Sequence, residues 1–212
     1  YDDDDLISAG LARDRERGAY DVFRNRLMFP IFDRRGDIVG FGGRALGNDP
    51  AKYMNTPQTA AFDKGGVLYG LNLATESIRK AGSAVIVEGY MDVIAAHQHG
   101  FKNVVAAMGT AITPIQVRLL RGMAKRLVLA LDADTAGAAA TRRSLEMVRE
   151  ASSSEQKEET GLGSLVRHED RLEAEIFVAT LPAGKDPDDV IREDPAIWEA
   201  LIEESTPLAD YL

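Results

Sequence analysis

The chain has 212 residues, of which 45% are hydrophobic and 28% charged, a composition typical of a globular protein with one or two domains. No segment approaches the ~20 consecutive apolar residues of a membrane-spanning helix, which argues against a membrane partner. The absence of cysteine excludes disulfides and thiolate zinc sites, so no zinc is expected. The amino terminus lacks the layout of a secretion signal and opens in mid-pattern, so we expect a cytoplasmic protein and a fragment of a longer chain.

Charge is distributed unevenly along the sequence. The net charge of −9, taken alone, argues against nucleic acid as a partner. However, residues 24–80 contain nine Lys or Arg and five Asp or Glu, whereas residues 151–212 contain five and sixteen. The basic segment is suited to phosphate groups, and the acidic segment is suited to a metal ion or to solvent.

The first part of the chain is predicted to form a small mixed α+β unit. Residues 1–20 are typical of a short helix followed by a turn, and the acidic run from Asp2 favours a helix amino terminus. Residues 24–32 and 38–41 predict the two strands of a hairpin. Three glycines near the second strand allow either a tight hairpin or close approach of the backbone to a ligand. They are Gly40, Gly42 and Gly43.

An irregular segment follows at residues 48–66. A loop of this length with little regular structure is often functional. It combines cations, an aromatic ring and an amide, a mixture suited to nucleotides or single strands, although scattered surface lysines would give the same composition. These side chains are Lys52, Tyr53, Asn55 and Lys64.

The rest of the chain alternates strands and helices, which predicts an α/β fold with a mainly parallel, four-stranded sheet and flanking helices. The predicted strands are residues 84–87, 103–108, 127–131 and 174–181. The predicted helices are residues 72–80, 91–100, one that starts at Thr113-Pro114 with Ile115, Leu119 and Met123 on one face, 135–150 and 195–204. We expect a basic subdomain at 1–80, an α/β domain at 81–194 and the start of a helical subdomain at 195–212.

Carboxylates follow two of the apolar strands. Glu88 ends one run, and Asp132 and Asp134 end another. Ligands of parallel sheets bind beyond the carboxyl ends of the strands, so neighbouring strands would bring these acids together. Like charges so close need a cation or protons, and carboxylates without nearby His or Cys suit Mg²⁺ or Mn²⁺. Glu88 can complete the site or act as a general base.

A second acidic pair, Asp186 and Asp188, follows the last predicted strand. It can hold another metal for an in-line phosphoryl displacement, or it can be a solvated loop.

Two motifs resemble the signature motifs of the Toprim fold, which is shared by DnaG-type primases, topoisomerases and some nucleases. They are Val87-Glu88-Gly89-Tyr90-Met91-Asp92 and Asp132-Ala133-Asp134-Thr135-Ala136-Gly137. Further stretches resemble the bacterial DnaG-type primases in particular: 26–30, 40–44, 52–55, 64–71 and 185–188. The resemblance extends over about residues 20 to 212.

The resemblance implies a reaction and a set of roles. Ribonucleoside triphosphates would be joined into short RNA primers on single-stranded DNA, with Mg²⁺ or Mn²⁺ as cofactor. Glu88, Asp132 and Asp134 would be the catalytic and metal-binding carboxylates, with Asp92, Asp186 and Asp188 in support. A basic ridge would contact template and nucleotides, and it would consist of Arg24, Arg26, Arg44, Lys52, Asn55 and Lys64.

The resemblance also implies partners for a longer parent chain. Primases of this type carry a zinc-ribbon domain before the catalytic domain and a helicase-binding domain after it, and neither is recognisable here. The replicative helicase and the single-strand-binding protein would therefore be contacted by other parts of the parent, in the cytoplasm at the nucleoid.

Three alternatives use the same residues differently. A Toprim nuclease or topoisomerase would cleave DNA without nucleoside triphosphates. A receiver-like signalling module would take up phosphate on one aspartate and would not need the basic segment 24–80. A single-strand-binding module would keep its DNA affinity after its carboxylates were neutralised.

Overall fold

The structure is a computed structural model that describes residues 1–16, 18–109, 111–131 and 174–211. Several predictions fall outside these ranges: the positions of Asp132 and Asp134, the helix at 135–150 and the polar loop at 151–163. Among the described residues, no helix is both long and apolar enough to cross a membrane.

The described elements are numbered here in chain order. The helices are α1 (Asp3–Ser8), α2 (Leu71–Ala81), α3 (Tyr90–Gln98), α4 (Pro114–Arg121), α5 (Pro187–Glu193), α6 (Pro195–Glu203) and α7 (Leu208–Tyr211). The strands are β1 (Ala12–Arg13), β2 (Tyr20–Asp21), β3 (Arg26–Phe32), β4 (Ile38–Ala45), β5 (Tyr53–Asn55), β6 (Ser83–Val87), β7 (Val104–Ala106), β8 (Arg126–Leu131), β9 (Glu175–Thr180) and β10 (Thr206–Pro207).

The predicted hairpin is present as the antiparallel pair β3–β4, and β5 pairs with the other edge of β4. Its turn forms because the Asp33 carboxylate accepts hydrogen bonds from the N–H groups of Arg35 at 2.8 Å and Asp37 at 3.0 Å. Gly36 takes a φ of +91° in the same turn, a conformation that glycine adopts without strain. The result is a three-stranded sheet separate from the main one.

The main sheet has the strand order β10-β9-β8-β6-β7. β6 pairs in parallel with β7 and β8, and β8 pairs in parallel with β9, so the four predicted parallel strands are confirmed. β10, which was not predicted, is a two-residue strand that pairs with β9 at the sheet edge in the antiparallel sense. The division into subdomains at residues 80 and 194 stays a prediction.

Helices cover both faces of the main sheet, as its continuous apolar strands require. Residues 84–87 of β6 are at most 2% exposed, and they alternate between two core clusters. α2 and α4 contribute to the cluster on one face, whereas α3, α5 and α6 contribute to the other. This packing fixes the ends of the parallel strands, where the predicted acids lie.

The residues that α4 buries are not simply the apolar residues that its sequence places on one face. Ile115 is 44% exposed, and the residues that the helix buries are Gln116, Val117 and Leu120. A fully buried glutamine displaces the apolar stripe because its amide hydrogen-bonds to a neighbouring loop. Hydrophobic periodicity cannot register such a partner, so it did not single out Gln116.

A third core cluster joins the small sheet to the main one, and we call it the junction. Its buried members are Phe29, Ile31, Phe62, Tyr90 and Met108. The ring of Tyr90 stacks on Phe29 with centroids 4.8 Å apart, and a Cβ built on Gly42 would lie 2.7 Å from the same ring. The predicted close approach at the glycines is therefore made by a side chain of the protein itself.

Replacing Gly42 by alanine is expected to destabilise the protein by about 1–3 kcal/mol, because the new methyl group overlaps the Tyr90 ring. Urea unfolding followed by circular dichroism measures this change. Gly122→Ala is the matched control, because no atom lies within 4 Å of its Cβ position and its φ of −70° suits any residue. Equal stability of the two variants would contradict the contact.

Candidate active site

The carboxyl ends of β6 and β8 lie side by side, as the predicted site requires. Ile86 is level with Leu129 in this pair, and Glu88 follows the last residue of β6. Glu88 is partly exposed, and its main-chain carbonyl accepts a hydrogen bond from the N–H of Gly109 at 3.3 Å. Asp132 and Asp134 follow β8 directly in the sequence but lie outside the described residues.

Asp92 is buried, with 7% of its surface exposed, and it connects two helix amino termini. Its carboxylate accepts hydrogen bonds from the N–H of Gly89 at 3.0 Å and from the N–H of Asp188 at 3.2 Å. Burial raises the pKa of Asp92 to about 7, and the negative charge of nearby Asp188 acts in the same direction. Because both carboxylate oxygens are bound to the main chain, Asp92 positions α5 against α3.

Three aspartates gather at the start of α5. Asp186 is the N-cap of the helix and Pro187 its first residue, a pairing that favours a helix start. Ligand atoms of Asp186, Asp188 and Asp189 lie within 4.8 Å of one another. Sequence reasoning predicted the first two and missed Asp189, which the capping-box spacing from Asp186 would have indicated. Glu88 is not part of this group.

The donor set at this sheet edge fits a hard divalent cation. The ligand cluster found among the described residues consists of aspartates only, with no histidine, and the chain has no cysteine. Such oxygen ligands suit Mg²⁺ or Mn²⁺. The raised pKa of Asp92 reflects an environment in which burial and neighbouring aspartates oppose a further negative charge. A bound cation would relieve that repulsion.

Tyr53 lies near two of the predicted cations and within electrostatic range of three of the acids. Arg44 and Lys52 lie 5.8 and 5.6 Å from the centroid of its ring, and the residue is 43% exposed. Burial raises the pKa of Tyr53, while Arg44 lowers it and the negative charges of Asp188, Asp92 and Asp186 raise it. Sequence reasoning noted this ring in its loop but did not assign it to the site. The signal was an aromatic residue directly after a lysine in an irregular segment.

Arg26 makes contacts within the protein. Its side chain is 2% exposed, and its guanidinium binds the Asp49 carboxylate at 2.6 Å and the Ala51 carbonyl at 2.7 Å. These contacts hold the loop that precedes Lys52. We therefore assign Arg26 to positioning that loop, and we do not include it among the exposed cations.

Asn55 also makes hydrogen bonds within the protein. Its carbonyl oxygen accepts from the Tyr90 hydroxyl at 3.2 Å, and its amide nitrogen donates to the Met108 carbonyl at 3.2 Å. Met108 has a φ of +59°, an uncommon conformation for a residue with a side chain. Asn55 thus ties β5 to the segment after β7.

The two remaining predicted cations lie at different places on the small sheet and its loops. Arg24 is exposed, with its guanidinium 5.5 Å from the ring centroid of Tyr20. Lys64 is half-buried, and burial lowers the pKa of its amine. Arg24, Arg44, Lys52 and Lys64 are thus the predicted cations that keep surface exposed.

Comparison with known proteins places this arrangement in a family. Residues 1–75 match the family described as DNA primase catalytic core, N-terminal domain, and residues 85–161 match the Toprim-like family. The DNA primase of Clostridium acetobutylicum is 41% identical over all 212 residues of this chain, which cover 32% of that protein. The chain belongs to the DnaG-type primase catalytic cores. The predicted resemblance and fold class are confirmed.

Solved structures of primase cores have the same fold. A DNA primase domain from Pseudomonas aeruginosa superposes with a TM-score of 0.81 at 38% identity, over 97% of this chain and 60% of that one. A DnaG primase catalytic domain described as bound to single-stranded DNA gives 0.81 at 36% identity, over 97% and 59%. The primase core described here thus spans about a third of the length of its curated relatives.

Proposed function

We propose that this primase core synthesises short RNA primers from ribonucleoside triphosphates on a single-stranded DNA template during replication. The observation that carries the proposal is the pairing of β6 with β8, because it brings Glu88 to the sheet edge at which Asp132 and Asp134 leave β8 in the sequence. Tyr53 has Arg44 and Lys52 near its ring and is close enough to Asp92, Asp186 and Asp188 for their charges to raise its pKa. The similarity to a core bound to single-stranded DNA favours the same template.

The proposed role of each residue follows from its charge. Arg44, Lys52 and Lys64 would bind the phosphates of template and nucleotide, and Arg24 would extend this surface. The exposed side chain of Tyr53, with Arg44 and Lys52 nearby, would stack on a base. Asp132, Asp134 and the Asp186–Asp189 cluster would hold Mg²⁺ or Mn²⁺, which stabilises charge on phosphate oxygens when bound.

The chemical step would be an in-line displacement at the α-phosphorus of a nucleoside triphosphate. The 3′-hydroxyl oxygen of one nucleotide forms a bond to that phosphorus, and the bond to the bridging oxygen of the leaving pyrophosphate breaks. Glu88 would accept the hydroxyl proton, since a carboxylate at the strand end is a suitable general base. Asp92 would act indirectly, because it holds the α5 aspartates in place.

The remaining partners would be contacted by other parts of a primase. We propose that the replicative helicase and the single-strand-binding protein contact regions beyond this core, and that the protein acts in the cytoplasm at the nucleoid.

A template-directed synthesis assay tests the proposed function. The protein is incubated with single-stranded DNA, labelled ribonucleoside triphosphates and Mn²⁺, and products are separated on a denaturing gel. We expect ribonucleotide products of two or more residues, and at least ~100-fold less product from Glu88→Gln, which removes the general base. Cleavage of the DNA without nucleotides would favour a Toprim nuclease instead. The absence of products together with metal-independent DNA binding would indicate a single-strand-binding module.

A further inference from the structure

The loop that carries Lys64 is anchored at both ends. We define the Lys64 loop as residues 62–68. Phe62 at its start is fully buried in the junction, and Leu68 at its end is 1% exposed in the core of the main sheet. Between them, the Asp63 carboxylate accepts a hydrogen bond from the N–H of Gly65 at 3.1 Å, which forms a local turn. The main chain of this loop is therefore fixed relative to both sheets.

The amino terminus of α4 holds the middle of this loop through Gln116. The side chain of Gln116 is fully buried. Its oxygen accepts from the N–H of Thr113 at 3.0 Å, and its nitrogen donates to the carbonyls of Lys64 at 3.3 Å and Val67 at 2.9 Å. The amide thus satisfies one helix N–H and two loop carbonyls at the same time.

Thr113 makes a second link of the same kind. Its hydroxyl accepts from the N–H of Gln116 at 3.1 Å and donates to the carbonyl of Gly65 at 2.5 Å. Thr113 and Gln116 form the reciprocal capping box of α4. A capping box alone requires only acceptors on these two side chains. The additional donors, one hydroxyl and one amide NH₂, are used on the Lys64 loop.

These bonds connect Lys64 to the carboxyl-end edge of the sheet. The segment between β7 and α4 leaves the same edge as Glu88, and the N–H of Gly109 in that segment donates to the Glu88 carbonyl at 3.3 Å. Among the described residues, no ion pair to Lys64 is formed. The hydrogen bond that holds Lys64 is therefore the one that its main-chain carbonyl accepts from Gln116.

We propose that Thr113 and Gln116 are positioning residues for Lys64 and hold its amine at the edge where the nucleotide triphosphate binds. This inference rests on the proposed function, in which Lys64 contacts phosphate. A lysine has a long flexible stem, so fixing its main chain reduces the ordering that binding requires. Loss of the anchor is expected to weaken nucleotide binding without removing any group that touches the nucleotide.

Gln116→Met tests the inference, because methionine keeps the shape and loses both donors. Two readouts are taken on the same protein: acylation of Lys64 by an amine-directed reagent, followed by peptide mass spectrometry, and the Kd for ATP with Mg²⁺. We expect Lys64 to react about threefold to tenfold faster and ATP to bind roughly tenfold more weakly, a change equivalent to about one hydrogen bond to a charged group. Lys64→Ala is expected to weaken ATP binding to a similar extent.

Leu120→Ala is the matched control, because it lowers the stability of α4 from a fully buried position that does not contact the loop through hydrogen bonds. It should leave Lys64 reactivity and the ATP Kd within twofold of the wild-type values. Thr113→Val should resemble Gln116→Met, whereas Thr113→Ser, which keeps the hydroxyl, should resemble the wild type. This second pair keeps the test available if Gln116→Met does not fold.

The outcomes separate the two proposals. If the wild type binds ATP but Lys64 reacts at the wild-type rate in Gln116→Met and Thr113→Val, the inference is overturned and the proposed function stands. An equal increase of Lys64 reactivity and of the ATP Kd in Leu120→Ala would also overturn the inference, because it would reflect general loosening of α4. A wild-type protein that binds no nucleotide would overturn the proposed function and the inference together.

Discussion

Replacing Asp132 and Asp134 together by asparagine is expected to weaken Mn²⁺ binding by this primase core strongly. In the sequence the two residues follow a buried strand that pairs with the strand before Glu88, so they are predicted to lie at the edge to which Glu88 belongs. Asparagine keeps the size but loses the charge that a hard cation requires. Isothermal calorimetry should give an affinity at least ~100-fold lower, beyond the 10–100-fold typical of second-shell changes.

The control variant removes the same number of negative charges from a different part of the chain. Asp3→Asn with Asp4→Asn alters two exposed aspartates of α1 and should leave Mn²⁺ binding unchanged. Unaltered binding in the Asp132 and Asp134 variant would contradict the predicted site. The ion would then be assigned to Asp186, Asp188 and Asp189, whose ligand atoms are already within 4.8 Å of one another. Asp186→Asn with Asp188→Asn would verify that assignment.

Local sequence signals predicted the elements that place the site. The run from Ala84 to Val87 is apolar at every position because β6 is covered on both faces, and that burial makes the strand recognisable. The Thr113-Pro114 pair predicted the start of α4 because its capping interactions lie within four residues. The pairing of β6 with β8 was a condition of the metal hypothesis, and the sheet order meets it.

The contacts that assign roles within the site could not be predicted, because they join residues distant in sequence. Arg26 is a residue of the type that binds phosphate, but its partners Asp49 and Ala51 lie in the loop between β4 and β5. Gln116 occupies an inward position of α4 because of carbonyls in the loop at residues 64–67. Neither residue is distinguished by periodicity or by the charge of its neighbours. Tertiary hydrogen bonds therefore decide which cations and amides face solvent.

The largest expected loss of stability concerns Tyr90, which follows Glu88-Gly89 in the chain. The ring stacks on Phe29 and meets Tyr53 and Tyr69 edge-on, with centroids 5.7 and 5.5 Å away. Burial raises the pKa of Tyr90 to about 12, so its hydroxyl stays protonated and donates to Asn55. Tyr90→Ala is expected to destabilise the protein by about 3–5 kcal/mol in urea unfolding, as for other buried aromatic side chains.

Two companion variants separate the contributions of the ring and the hydroxyl. Tyr90→Phe keeps the stacking and loses only the bond to Asn55, so it should cost about 0.5–1.5 kcal/mol. Gly42→Ala should cost much less in the Tyr90→Ala background than alone, because the ring that the methyl group overlaps is gone. Equal costs of Gly42→Ala in both backgrounds would contradict the contact between β4 and Tyr90.

The same variants also test whether the two sheets unfold together. The single tryptophan, Trp198, is buried beside Phe101 against the main sheet, so its fluorescence follows that part alone, whereas circular dichroism follows the whole chain. In the wild type we expect both signals to change at one urea concentration, because the junction couples the sheets. In Tyr90→Ala the dichroism should change first, since the small sheet loses its main anchor. Coincident transitions in that variant would mean that other contacts couple the sheets, and Phe62, which is fully buried in the junction, would be the next residue to replace.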